Sequence, residues 1–347
     1  MLLLDDFWIW DSWIADDGEQ YHLFFLQAPK SLGTPDKRHK RATVGHATST
    51  DLQDWTYHGT VLEPGAPGSW DDLAIWTGSV SRGDDGVWRM YYTAVSSAGE
   101  AAGTYDQRIG VVESDDLFSF HRVLEAPACE VDSRWYRTVD YSDRVTETWR
   151  DPQVFADPGG VGWHMLITAR DKTGELLESG VIAHATSDDM IHWEVRPPLS
   201  APGAGFSQLE VAQVREVDGQ HIMAFTCHPD EQQEWRRAAS GRACTWTLAV
   251  AGPLGPFDIS QARPFRAEPE LFAAPLVRRR DGSWCFVGFR NLEPEGHWHF
   301  HIFEPVPVEP RGDELVAVDG YPTFDLDVHL GGGAALPAVD PARSRAT

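Results

Sequence analysis

One phrase returns five times along this chain: a loop, a hydrophobic strand, a tight Asp/Gly turn and a second hydrophobic strand. The copies open at Trp10-Asp11-Ser12-Trp13, Trp76-Thr77-Gly78-Ser79, Arg150-Asp151-Pro152-Gln153, Glu210-Val211-Ala212-Gln213 and Ala273-Ala274-Pro275-Leu276. Each runs into a turn, such as Asp16-Asp17-Gly18 or Asp84-Asp85-Gly86, and then into a strand rich in aromatics. Openings about 60 to 75 residues apart leave room for four short strands and their connections. A second phrase keeps the same beat. Gly45-His46-Ala47-Thr48-Ser49 with Asp51-Leu52 and Trp55 returns as Ala183-His184-Ala185-Thr186-Ser187 with Asp189-Met190 and Trp193, and more weakly from Gly110 to Phe120. It reads as a third strand, a Ser/Asp turn, and an aromatic that begins the fourth strand.

Helical periodicity is almost absent, so the expected fold is all-β: a single five-bladed β-propeller. Residues 1–329 are read as the propeller and 330–347 as a Gly/Ala/Pro-rich tail. In the fourth repeat, Leu248–Ala251 and Gly255-Pro256-Phe257 stand for the third and fourth strands. In the fifth, the run His299–Phe303 supplies the third strand, and Pro322–Val328 is the candidate for closing the ring. The loops Ala28–Arg41, Ala126–Thr148 and Pro229–Arg242 are long and charged, the usual character of binding loops on a rigid scaffold.

Composition narrows the partners. A formal net charge of −24 repels phosphate backbones and anionic membranes, which leaves a small molecule or oligosaccharide as the expected partner. The 15 Trp are ample for a core and also suit stacking on sugar rings. Cys129, Cys227, Cys244 and Cys285 lack any paired spacing and read as buried free thiols; no metal cluster or phosphate loop emerges, so no cofactor is expected. The N-terminus, Met1-Leu2-Leu3-Leu4-Asp5-Asp6, lacks the basic and apolar regions of a secretory signal, from which a cytoplasmic protein is expected. Oligomeric state is not legible.

Three openings carry a carboxylate: Asp11, Asp151 and Glu210. Equivalent positions around an axis converge on it, so acids distant in sequence become neighbours. Cleavage of a glycosidic bond needs one acid to protonate the leaving oxygen and a second to attack the anomeric carbon or activate water. A third can stabilise the oxocarbenium-like transition state through hydrogen bonds that tighten as charge develops. Glu210, inside the largely apolar run Phe206–Val214, is costly to bury without such a purpose.

Trp149-Arg150-Asp151-Pro152 resembles the Arg-Asp-Pro motif of the glycoside hydrolase clan of families 32 and 68, the invertases, levanases, inulinases and levansucrases. Trp76-Thr77-Gly78-Ser79 resembles the sugar-touching aromatic-Ser-Gly-Ser segment of that clan, and Trp10-Asp11-Ser12-Trp13 the nucleophile segment of family 68. The resemblance runs from about residue 7 to 325. It implies a retaining mechanism with Asp11 as nucleophile, Glu210 as acid/base and Asp151 as transition-state stabiliser beside Arg150. Retention requires the Asp11 and Glu210 carboxyls to lie about 5–5.5 Å apart. Candidate sugar contacts are Trp10, Trp13, Trp76, Thr77, Gln208 and His228, with Gln27 a weaker one; His39 and His46 are secondary candidates for the funnel wall.

Two departures stand out: Val211-Ala212 replaces the Cys-Pro that follows the family 32 acid, and no room remains for that family's C-terminal β-sandwich. The reaction expected is hydrolysis of β-fructofuranosides such as sucrose or short fructans, with water and a second sugar both open as acceptor. An arabinofuranosidase or xylosidase of the family 43 type, and a non-catalytic sugar-binding propeller, are the alternatives.

Overall fold

The computed structural model describes residues 1–139, 147–241, 243–267, 270–289 and 300–322. Among them are five four-stranded antiparallel sheets, each formed by strands consecutive in the chain, so every blade is an up-and-down meander. Blade I holds β1 (Phe7–Asp16), β2 (Tyr21–Pro29), β3 (Thr43–Ser49) and β4 (Thr56–Leu62). Blade II holds β5 (Ala74–Arg82), β6 (Trp88–Val95), β7 (Arg108–Ser114) and β8 (His121–Arg122). Blade III holds β9 (Trp149–Ala156), β10 (Trp163–Arg170), β11 (Gly180–Ser187) and β12 (Glu194–Arg196). Blade IV holds β13 (Glu210–Val217), β14 (Gln220–Thr226), β15 (Thr245–Val250) and β16 (Arg263–Pro264). Blade V holds β17 (Leu276–Arg278), β18 (Trp284–Phe286), β19 (Val306–Arg311) and β20 (Glu314–Ala317).

Local chemistry explains the repeats. The first hairpin of each blade turns through a positive-φ glycine: Gly18 (96°), Gly86 (83°), Gly160 (83°), Gly219 (85°) and Gly282 (91°). A side chain is disfavoured there, which is why the Asp/Gly signature recurs. The Ser/Asp phrase is one turn used three times. Ser49 Oγ accepts from the backbone of Asp51 and Leu52 while Asp51 Oδ1 accepts from Gln53 and Asp54, and Ser114–Asp116 and Ser187–Asp189 repeat the pattern. Leu52, Leu117 and Met190 sit at φ near 65° within those turns and plug into the core.

The strands bury their apolar faces between neighbouring blades. Leu23, Phe24 and Phe25 are wholly buried, each such side chain contributing about 1.5–3 kcal/mol. Two histidine pairs, wholly buried in blade I and partly buried in blade III, fix the outer ends of these blades. His22 bonds Asp17 and His46, and His164 bonds Asp157 and His184, so His46 is a structural residue away from the axis.

Two sequence expectations shift. In blade IV the segment Gly255-Pro256-Phe257 is not the fourth strand, because the Phe257 amide donates across to Leu199 of blade III and the edge strand begins only at Arg263. In blade V the third strand is Val306–Arg311. The run ending at Phe303 is its inner extension, with Ile302 occupied by Leu2; His299 lies outside the described residues. That Leu2–Ile302 pair, at 2.9 and 3.0 Å, joins the N-terminal segment to blade V, and Arg280 reaches from blade V to Asp16 of blade I at 2.7 Å. The proposed closing strand Pro322–Val328, apart from Pro322, and the tail lie outside the described residues.

Candidate active site

The first strands of blades I to IV are interrupted near their inner ends by a β-bulge, and in blade V the same one-residue offset precedes β17, between the Phe272–Phe289 bridge and the Leu276–Phe286 pair; this offset is what aims the site. The register shifts between Trp10 and Ser12, between Trp76 and Gly78, opposite Ile167 in blade III, and between Glu210 and Gln213. The extra residue escapes the alternation of the pleat and turns its side chain independently of its neighbours. Asp11, Asp151, Val211 and Ala273 occupy it at φ of 26°, 58°, 51° and 46°, a region costly for residues with a Cβ and characteristic of functional sites. Asp11, Thr77, Asp151, Val211 and Ala273 are therefore equivalent. Glu210 stands one residue earlier, in register with Trp10, Trp76 and Arg150. Its convergence with the two Asp comes from blade geometry, not from a shared place in the repeat, and the fifth opening begins at Phe272.

Asp11 is half-buried, and its Oδ2 accepts a 2.5 Å hydrogen bond from Thr77 Oγ1 of blade II. Burial pushes its carboxyl up to about 7; the Thr77 bond opposes this, and the charges of Asp151 and Glu210 add to it. Asp151 is buried, with Oδ2 accepting from Thr168 Oγ1 at 2.9 Å and from the Val211 amide at 3.2 Å. Burial raises Asp151 to about 6, countered by Arg150 and reinforced by Glu210. Glu210 Oε1 pairs with Arg150 Nη2 at 2.6 Å, and Arg150 Nε lies 3.7 Å from Asp151 Oδ2. One guanidinium thus stands against two of the three acids.

The second strands hold the bulges in place. Thr93 Oγ1 accepts from the Asp151 amide at 3.0 Å and Thr226 Oγ1 from the Ala273 amide at 3.2 Å, each from one blade to the next. Trp10 and Trp76, the residues preceding Asp11 and Thr77, flank the His39 ring, which stands edge-on to both at 6.0 and 6.5 Å. Trp76 Nε1 donates to the His39 carbonyl, and the Arg38 guanidinium lies 5.4 Å from the Trp10 ring. Burial holds His39 well below the usual histidine range, with Arg38 and Arg150 adding to it, so the ring is neutral.

Two of the candidates, Gln27 and Trp13, do not face this cluster. Gln27 is wholly buried inside blade I, donating to Thr60 and accepting from Tyr57, both at 2.9 Å; its amide is used up by the blade. Trp13 is packed in the core against Phe24. Gln208 is buried behind Glu210, its Oε1 accepting from Arg150 and its Nε2 donating to Glu231 at 2.6 Å. His228 is half-buried in the loop after β14, beside Asp230. Glu231, Arg38 and Arg170 belong to the site and escaped sequence reasoning, since loop residues and a strand-end Arg carry no repeat signal. The threonines Thr93, Thr168 and Thr226 did carry one, at matching places on three second strands. All four cysteines are buried and none of them forms a disulfide. Among the described residues no group of His, Cys, Asp and Glu is placed to hold a metal.

Comparison with known proteins bears on this constellation. The profile of the glycosyl hydrolases family 32 N-terminal domain matches residues 13–244, two thirds of the chain. The chain belongs to glycosyl hydrolase family 32. As a member it is a glycoside hydrolase, and the matched span takes in Thr77, Arg150, Asp151 and Glu210 while starting just after Asp11. An extracellular sucrase of Zymomonas mobilis is 25% identical over 307 residues, covering 74% of this chain and 70% of the sucrase. A levansucrase of the same organism is 25% identical over 381 residues, covering 97% and 81%. Among solved structures, an inulosucrase from Halalkalicoccus jeotgali bound to kestose superposes with a TM-score of 0.70 at 23% identity, covering 90% of this chain and 87% of that one. The sucrase also corrects an expectation: that relative is extracellular, so the reading of this family 32 protein as cytoplasmic does not stand.

Proposed function

We propose that this protein is a retaining glycosidase that releases fructose from β-fructofuranosides, sucrose and short fructans being its substrates. The observation that carries the reading is the Arg150 guanidinium set between Asp151 and Glu210 while Thr77 holds Asp11 from the neighbouring blade. Family membership and the sucrase and levansucrase relatives supply the substrate class.

In this scheme the Thr77 bond occupies Asp11 Oδ2 and leaves Oδ1 to attack the anomeric carbon of the fructosyl unit. Glu210 gives a proton to the departing glycosidic oxygen, and a covalent fructosyl-enzyme forms as the bond breaks. Asp151, held by Thr168 and the Val211 amide, accepts hydrogen bonds from ring hydroxyls that strengthen as the ring gains positive charge. Glu210 then takes a proton from the acceptor as its oxygen displaces Asp11. Water as acceptor gives hydrolysis and a sugar hydroxyl gives transfructosylation. Trp10, Trp76, His39 and His228 form the wall that the sugar meets.

The test is a panel of sucrose, inulin, levan and nitrophenyl furanosides, assayed with Asp11→Asn and Glu210→Gln as controls. Fructose release lost in both variants supports the proposal. Arabinose or xylose release would redirect it to the family 43 type of chemistry, and binding without turnover would reduce the protein to a sugar-binding propeller.

A further inference from the structure

Behind the three acids lies a fourth carboxylate. Glu231 sits in the short turn Pro229–Glu231 that follows β14, and its backbone is clamped to the segment leading into β13: the Ser207 amide donates to its carbonyl at 2.8 Å, while its own amide donates to His228 at 2.9 Å. The side chain turns inward. Oε1 accepts from Gln208 Nε2 at 2.6 Å, Gln208 Oε1 accepts from Arg150 Nη2, and the same Nη2 donates to Glu210 Oε1 at 2.6 Å. The donors run one way along this chain. An amide has one accepting end and one donating end, so a carboxylate at Glu231 forces the oxygen of Gln208 toward Arg150. Gln107 holds another corner of the guanidinium at 3.3 Å, leaving Arg150 little freedom except along the Gln208–Glu210 edge.

Resting on the fructosidase reading, we infer that Glu231 is a positioning residue for the reaction: its carboxylate anchors a relay through Gln208 and Arg150 that fixes the carboxyl of Glu210. The same turn carries His228, the candidate for the outer wall, so movement of this loop would disturb acid and wall together.

The charges facing Glu231 are Glu210 from β13, Arg150 from β9 and Arg170 from β10, with Cys227 at the end of β14 and His228 and Asp230 on its own turn. Burial raises Glu231 to about 7, the Glu210 charge adds to this, and Arg170 and Arg150 oppose it. A group titrating there loses its negative charge as pH falls through neutrality, and the anchor of the relay weakens with it.

The experiment measures kcat and KM for sucrose across pH in the full chain. Glu231→Gln keeps the volume but removes the charge; its kcat is expected to fall about ten-fold with KM within about two-fold, and the acid limb near pH 7, to which Asp11 and Glu231 both contribute, to become shallower by the loss of one titration. The double variant Gln208→Glu with Glu231→Gln moves the acid one step along the relay and should recover most of the lost kcat, which a purely structural role would not allow. Circular dichroism checks folding; if Glu231→Gln does not fold, Glu231→Asp is read instead, with kcat lowered and the inflection retained. An active enzyme whose kcat and pH profile are untouched by Glu231→Gln overturns the inference. If the wild type turns over no fructoside, the functional reading fails by itself. The relay is then judged by infrared titration of wild type against Glu231→Gln: a difference spectrum holding a buried carboxyl band that titrates near neutrality supports it, and identical titrations overturn it.

Discussion

The hydroxyl of Thr77 on blade II donates to Oδ2 of Asp11 on blade I at 2.5 Å, so the proposed nucleophile is held by the blade beside it. This bond works against burial, which raises Asp11 to about 7. Thr77→Val keeps the shape and removes the donor, so Asp11 should rise further. The acid limb of kcat/KM is expected to move up by about one unit, with kcat down about ten-fold at pH 6 and less at pH 8. An unmoved limb would separate Thr77 from the chemistry.

Asp11 also bears on stability. Its folded value, about 7, lies above its ordinary 3.8, so ionisation is harder in the fold than in the unfolded chain. The resulting cost is absent below about pH 4, grows between 4 and 7, and is full above 7. Asp11→Asn should therefore be more stable than the wild type at pH 8 by up to about 4 kcal/mol and melt correspondingly higher, and match it at pH 4. Melting temperatures across that range provide the check; a variant less stable than wild type at pH 8 contradicts it.

Arg150 balances Asp151 and Glu210 together. Arg150→Met should lower kcat/KM by at least about a hundred-fold and push the acid limb upward, since Asp151 loses the charge that restrains it. Arg150→Lys keeps the charge without the planar fork and should fall between the two. Steady-state kinetics on the folded variants decides.

Gln27 gives the contrasting case. Its amide is spent on Thr60 and Tyr57 within blade I. Gln27→Leu is expected to cost about 1–3 kcal/mol in denaturant unfolding and to leave kcat and KM for sucrose near wild type. A selective rise in KM would return Gln27 to the sugar.

What the sequence made legible follows from which forces are local. Asp-Gly turns and Ser/Asp turns are set by a few neighbouring residues, so Gly18, Gly86, Ser49 and Ser187 announced the blades. The acids were visible because Asp11, Asp151 and Glu210 recur at strand openings. Bulge register was not visible, because an extra residue is a property of two paired strands; Glu210 was therefore read one place away from its true equivalents. Trp13 and Gln27 were misassigned for a related reason, since which face a strand residue takes depends on the pleat beyond the bulge. Glu231 and Arg170 reach the site only through space. Blade V was hardest to trace, its third strand beginning only after Ile302 has been engaged by Leu2.

The bulge at the head of each blade separates two demands that a regular strand would force together. On either side the ladder keeps its pairing, while the inserted residue answers to neither face of the sheet. One seat can hold an Asp, another a threonine and a third an alanine, as Asp151, Thr77 and Ala273 do, with the surrounding strand little altered. New chemistry can be tried at such a seat without rebuilding the wall behind it. A scaffold of this kind can change what it cuts while remaining the same propeller.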